Sequence, residues 1–257
     1  MNLVKVSAIT VAILGISALA PLRASAGDSG YKVVAVDDGG SVSGVVRFGN
    51  RYPKRKKIRI SKDNETCGTI KRSEKFLVSG ENKGLQNVLV TIEGVKAGKE
   101  PHIAKSITLQ QKGCTYIPHF QVAEVGADGV DLKLVNDDGI FHNVHTYLGD
   151  STVFNVPQLG TQHEITQKLS APGVVKVNCD VHDWMSADIV LLKDNPYYAI
   201  TDKNGEFLID DIPPGTYTVK AWHEALGTMT KEVTVSDGED SQLDFVIKGK
   251  SKKKKKK

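Results

Sequence analysis

The sequence predicts an all-β protein, and three of its features carry that expectation. Its apolar runs are dominated by Val, Ile and Thr, side chains that suit a pleated, half-buried surface. The runs are short and punctuated by Gly, Asn, Asp and Pro at close spacing, as the strands of a β-sandwich are. Between Gly27 and Lys193 no stretch shows the apolar period of a long amphipathic helix. With 257 residues, 24 of them glycine and only 6% aromatic, the chain has room for one large or two modest domains.

In chain order, Met1 to Lys5 is a basic opening, Val6 to Ala20 a short apolar run, and Ala24-Ser25-Ala26 a small-residue cleavage site. That is the pattern of a secretory signal peptide over 1–26, too short and wrongly flanked for a membrane span. An exported protein, periplasmic or extracellular, is therefore expected, with no span in the mature chain. Ser41 to Phe48 alternates small or polar with apolar residues, as a half-buried strand does. Arg51 to Arg59 is basic and reads as a solvated loop and edge strand, a polyanion patch being the sharper alternative. Ile58 to Ile60 resumes strand character, and Asp63-Asn64-Glu65 is a polar loop before Cys67. Leu85 to Ile92 is a core strand stopped by Gly94, and β character returns at Ile107 to Leu109, Tyr116 to Ile117 and His119 to Val125. Gly126 to Gly129 is a turn, and Val130 to Val135 leads into Asn136. Ala187 to Leu192 is apolar, and Asp194-Asn195-Pro196 marks a boundary. Beyond it, Asn204-Gly205 is expected to form a hairpin turn, Pro214-Gly215 a second, and Lys231 to Val235 and Leu243 to Ile247 two further strands.

The formal charge of +4 hides an asymmetry. Eight lysines from Lys248 onward, with Lys5 and Arg23, supply ten positive charges, so the body of the chain carries −6. The 249–257 tail reads as a disordered, solvated terminus, or more sharply as a tether to an anionic envelope surface. Nothing points to nucleic acid.

One stretch carries the chemistry. Ala171 to Asn178 reads as a strand opened by Pro172-Gly173, and it ends in a loop holding Cys179, His182 and Met185. A thiolate, an imidazole and a weak thioether suit a blue-copper site, which needs a second histidine from elsewhere. Asn136 to His145 offers one. These two separated segments, the Asn-rich turn running into His142-Asn143-Val144 and the Pro-Gly strand ending in Cys-x-x-His, resemble a cupredoxin domain of the plastocyanin or pseudoazurin type. The resemblance implies a Greek-key β-sandwich that binds one copper, within a region 31–193 that also includes an N-terminal β extension, with His142, Cys179 and His182 as equatorial ligands. In plastocyanin-like relatives the methionine lies five residues after the loop histidine, where this chain has Ala187. Met185 at three residues is the axial candidate instead.

A second resemblance follows the boundary. Thr201-Asp202-Lys203-Asn204-Gly205-Glu206-Phe207 and Pro213-Pro214-Gly215-Thr216-Tyr217 are similar to the "Thr-Asp-x-x-Gly-x-Phe" and "Pro-Pro-Gly-x-Tyr" motifs of the carboxypeptidase regulatory-like domain, a small transthyretin-like β-sandwich, here over 194–248. Ser41 to Phe48 also resembles that family's opening strand. This keeps open a topology in which the later sandwich takes N-terminal strands around an inserted copper domain.

With Cys179 given to the metal, Cys67 and Cys114 remain, and an oxidising compartment lets them pair. Three free thiols or another pairing are the alternatives. Of the other histidines, His102, His163 and His223 lie in polar or loop contexts and are read as surface or second-domain residues. His119 is read as structural, with a supporting or extra-ligand role as the alternative. His145, three after His142, points to the opposite face of a strand and is the alternative ligand. Asn143 is expected to tune the centre from behind the ligands.

No hydrolytic triad, phosphate loop or haem-attachment motif is present. The leading expectation is thus a non-enzymatic copper protein passing single electrons to a redox protein partner, with Trp184 beside His182 on the route. A copper carrier or sensor is the second, and an envelope carbohydrate- or surface-binding module the third.

Overall fold

The computed structural model describes residues 30–249; the expected signal peptide lies outside the described residues, as does nearly all of the lysine tail. Strands are the dominant regular structure of the described chain, and its one α-helix is the single turn Asn64–Cys67. Among the described residues no helix is long and apolar enough to cross a membrane.

Two sandwiches divide the strands. The first has a four-stranded sheet in the order Glu164–Leu169, Val130–Asn136, Ser106–Gln111, Tyr116–Ile117. Its five-stranded partner runs Ser151–Gln158, His142–Leu148, Gly173–Asn178, Ser186–Leu192, Phe120–Glu124. Alternation places Val130, Leu132 and Leu134 inward from one sheet, against Val144, Val175, Val177, Ile189 and Leu191 from the other. Ser151–Gln158 and Glu164–Leu169 went unread as strands in the sequence because they are outer strands with mostly exposed side chains, so their apolar alternation is weak.

The second sandwich straddles the first in sequence. One sheet runs Tyr198–Ile200, Leu89–Glu93, Gly215–His223, Gly227–Val235. The other runs Glu206–Ile212, Gly40–Phe48, Asp240–Gln242, with Phe245–Ile247 also pairing parallel to Gly40–Phe48. Val42, Val46, Leu85, Val88, Val90 and Ile92 share one core with Tyr197, Phe207, Val219 and Phe245. The division expected at 193/194 therefore needs correcting: 194–248 supplies only part of this core, and the strands before the first sandwich complete it, which is the alternative topology with an inserted domain. Close approach explains two glycines of the opening strand. A Cβ on Gly40 would lie 2.5 Å from the Ser236 carbonyl oxygen, and one on Gly44 2.2 Å from that of Leu243.

The turns after the boundary also differ from expectation. Asn204-Gly205 does form a tight turn, with Gly205 at φ 79° and the Asp202 carboxylate accepting from the Asn204 and Glu206 amides. It is not a hairpin, because Tyr198–Ile200 and Glu206–Ile212 enter different sheets. Pro214-Gly215 likewise carries the chain from one sheet to the other. Local turn chemistry sets the reversal; the core each strand can bury decides its neighbour.

Leu89, Phe120 and Val190 form a small apolar cluster that joins the sandwiches, with Trp222 packed against it. Beside it His119 donates across the junction to Glu224 at 2.5 Å. His223, expected at a surface or in the second domain, belongs to the second sandwich and is buried, stacked on Phe76. Burial pushes its pKa down to about 4. Below pH 6.5 the unfolded chain takes the proton first, so this residue's contribution to stability falls as pH drops from 6.5 towards 4. The full loss is about 3 kcal/mol. Urea unfolding at pH 7 and pH 4.5 is expected to show a steeper acid loss in the wild type than in His223→Gln. Equal slopes would remove His223 as the cause.

Candidate metal centre

His142 opens the strand His142–Leu148, and Cys179 follows the end of its neighbour Gly173–Asn178. The register pairs His145 with Asn178, which sets the two strand ends side by side. From Cys179 the chain turns tightly on itself: the Met185 amide donates to the His182 carbonyl, and the His182 amide donates to Cys179 Sγ at 3.4 Å. His142, Cys179 and His182 each present a donor atom within 4.8 Å of the others, and all three are buried.

The histidines converge through their Nδ1 atoms, 2.9 Å apart, and His182 Nδ1 lies 3.7 Å from Cys179 Sγ. Their remote nitrogens are both engaged. His142 Nε2 donates to Asp138 at 2.9 Å and His182 Nε2 to Asp63 at 2.8 Å. These partners assign the Nε2–H tautomer to each ring, so two lone pairs and a sulfur face one point. Two facing lone pairs at that distance require a cation between them. Two imidazoles and a thiolate with a methionine close in sequence form the donor set of a mononuclear copper centre, so the residues fit that metal.

Without metal, a proton serves as the cation. Burial lowers the His142 pKa, but the Asp138 carboxylate and the Cys179 sulfur outweigh it and raise the value to about 9. Burial raises the Cys179 pKa, yet the bond with His142 and the Asn143, His182 and Val181 amides bring it down to about 6. The thiol is thus held ready as a thiolate, the form that ligates metal.

The remaining expected residues separate clearly. Met185 is fully buried in the same core as Cys179. Asn143 clamps the loop: its Oδ1 accepts from the Asp180 amide at 2.7 Å and lies 3.4 Å from Cys179 Sγ. His145 points away from the cluster, its Nδ1 at the Asp180 carboxylate and its Nε2 at Thr152. His119 is committed to the Ser186 carbonyl and to Glu224, at the junction of the sandwiches. Neither is among the converging donors. Cys67 and Cys114 form a disulfide, with Cα atoms 5.1 Å apart.

Sequence reasoning missed the two carboxylates. Asp138 lies four residues before His142, and its carboxylate also accepts the Gly113 and Cys114 amides, so spacing offered a hint. Asp63 lies 119 residues from His182, and no local pattern joins them. It stands at φ 47°, at the N-terminus of the helical turn, and its side chain makes no helix cap. Strained backbone at a site is consistent with a side chain diverted to another task.

A family model of the carboxypeptidase regulatory-like domain matches residues 185–248. Among solved structures, the chain is similar to "Novel Purple Cupredoxin from Nitrosopumilus maritimus", at 21% identity over 33% of this chain and 98% of that one, with a TM-score of 0.29. It is similar to amicyanin from Paracoccus versutus, at 13% identity over 40% of this chain and 97% of that one, TM-score 0.29. It also resembles the Cu-containing nitrite reductase NirK from Thermus scotoductus, at 21% identity over 45% of this chain but only 25% of the reductase, TM-score 0.29. No curated protein matches. The carboxypeptidase regulatory-like resemblance read from the sequence is thus the one whose family model matches.

Proposed function

We propose that the chain is an exported copper protein that passes single electrons, and that it is a carrier rather than an enzyme. The observation behind this reading is the convergence of His142 Nδ1, His182 Nδ1 and Cys179 Sγ, with each remote nitrogen tied to a carboxylate. Bound copper would supply the one-electron couple. His142, Cys179 and His182 would hold it, with Met185 as a further candidate ligand. Asn143 keeps the thiolate loop in place, and Asp138 and Asp63 keep both imidazoles in the metal-binding tautomer. Because the strands and loop carrying these groups are packed in one core, the same geometry would serve both oxidation states. Trp184 lies against His182, ring centres 5.0 Å apart, and gives a path towards the surface. The Cys67–Cys114 bridge suits an oxidising compartment, in keeping with export. Burial of all three ligands favours electron transfer over copper delivery, since a delivery site must open its ligands to a partner.

The test is a visible spectrum of the mature protein after Cu(II) loading, beside Cys179→Ser. An intense thiolate-to-copper band is expected in the wild type and none in the variant, while Met185→Leu should shift the band if the thioether is axial. A wild type with no band and no stoichiometric copper would refute the reading.

A further inference from the structure

The charge of this molecule is strongly polarised. Residues 27–247 contain 24 Lys and Arg and 30 Asp and Glu. The 25 residues 51–75 hold ten of those cations and only three of the carboxylates, a net +7, which leaves −13 on all the rest. Its first part, Arg51 to Arg59, is the run expected to be a solvated loop and edge strand. It folds as the hairpin Lys57–Arg59 with Ile70–Arg72, joined by the helical turn and tied by Cys67 to Cys114. The bridge and the Asp63–His182 hydrogen bond seat it beside the metal ligands.

Between the hairpin and the ligand loop lies a groove of about 540 Å³. Arg55, Lys56, Lys71, Arg72 and Lys75 line one part of it, and Trp184, packed on His182, lines another. Among the described residues none of these five cations forms a salt bridge within the chain. Arg55 donates only to the Ser73 and Arg72 carbonyls, and Lys71 to that of Gly113. Glu74 and Asp183 also line the groove, so five cations meet two carboxylates; the remaining net +3 raises the folded state's energy, and an anionic partner relieves that cost.

We propose that this groove is the docking surface for an acidic redox protein, whose carboxylates meet Arg55, Lys56, Arg72 and Lys75 and whose own centre is presented to Trp184. The proposal rests on the electron-transfer reading and names the partner's chemistry. The −13 on the rest of residues 27–247 repels the same partner, so the field of that body orients its approach before contact. The exchange would be one electron between the partner's centre and the copper that His142, Cys179 and His182 would hold, one centre oxidised as the other is reduced, with no atom transferred. A protein fits better than a small anion because the cations are spread over a hairpin, and Arg55, Lys56, Arg72 and Lys75 are exposed rather than closed around one point.

The test uses an acidic plant-type ferredoxin as the probe. Stopped-flow oxidation of reduced ferredoxin by the Cu(II)-loaded protein is expected to slow steeply with salt. The triple variant Arg55→Glu, Lys56→Glu, Arg72→Glu should slow it on the order of 10- to 100-fold at low salt. A control reversing the same number of charges outside the groove, at Lys105, Lys133 and Lys168, should change it far less. A second measurement needs no metal: ferredoxin added to the metal-free protein should shift the Trp184 indole N–H resonance in the wild type and not in the groove variant. Equal rates for the two triple variants, or no Trp184 shift at low salt, would overturn the proposal even with the copper band intact. A Trp184 shift without any copper band would uphold acidic-protein docking and sink the electron-transfer reading instead. Tighter, Arg55-dependent binding to phosphatidylglycerol vesicles than to ferredoxin would assign the groove to a lipid surface and also overturn the proposal.

Discussion

Asp63→Ala is expected to weaken copper binding by roughly 10- to 100-fold, the usual cost of removing a carboxylate behind a ligating histidine. In the folded chain Asp63 accepts the His182 Nε2 proton at 2.8 Å, and that bond turns the Nδ1 lone pair towards His142 and Cys179. Without it the ring is free to change tautomer or rotate, and either change takes a donor from the centre. The Asp63 side chain is 47% exposed, so its loss leaves no buried cavity and the fold should survive. Asp63→Asn keeps an acceptor but not the charge and should fall between the two. Competition against a chelator of known affinity measures all three proteins. Affinities equal within about twofold, less than the smallest loss expected, would show that the contact does not support the site.

Cutting the chain between 193 and 194 is expected to destroy the second sandwich in both fragments while sparing the first. The core of the first sandwich is drawn from Ile60 to Leu191, so residues 27–193 should still fold around Cys179 and give the copper band. In that fragment Val42, Val46, Leu85, Val88, Val90 and Ile92 lose the side chains that cover them. Burial of such side chains contributes roughly 1.5–3 kcal/mol each. Six of them together exceed much of the about 5–15 kcal/mol that holds a domain folded. Residues 194–248 alone keep strands but lack Gly40–Phe48 and Leu89–Glu93, their central neighbours. Amide NMR spectra should show the 40–48 and 89–93 resonances collapse to unfolded positions in one fragment and the whole of the other unfold. A dispersed spectrum from 194–248 by itself would contradict the sheet order.

Both results turn on contacts between distant parts of the chain, and that marks how far the sequence could be read. Cys179 and His182, which the structure brings together with His142, were legible because one short loop carries them, and a loop's donor spacing is a local property. His142 was legible for the same reason, standing after an Asn-rich turn at the start of its strand. His145 stood as the alternative ligand, although side chains three apart on a strand leave by opposite faces, and the structure gives its ring to Asp180 and Thr152 instead. The Arg51 to Arg59 run was visible as charge but not as a groove, since only the disulfide-tethered hairpin brings Lys71, Arg72 and Lys75 beside it.

By itself the sequence determined the all-β class, the turns and the local ligand loop, because alternation, turn residues and donor spacing act over a few residues. The sequence left the place of Ser41 to Phe48 open; tertiary structure decided that Gly40–Phe48 and Leu89–Glu93 complete the later sandwich, that Asp63 holds His182, and that cations of 51–75 share a groove with Trp184. Strand partners and side-chain bonds across a hundred residues follow from which apolar faces and charges can be satisfied together in one packed body, a condition on the whole chain that no segment expresses alone.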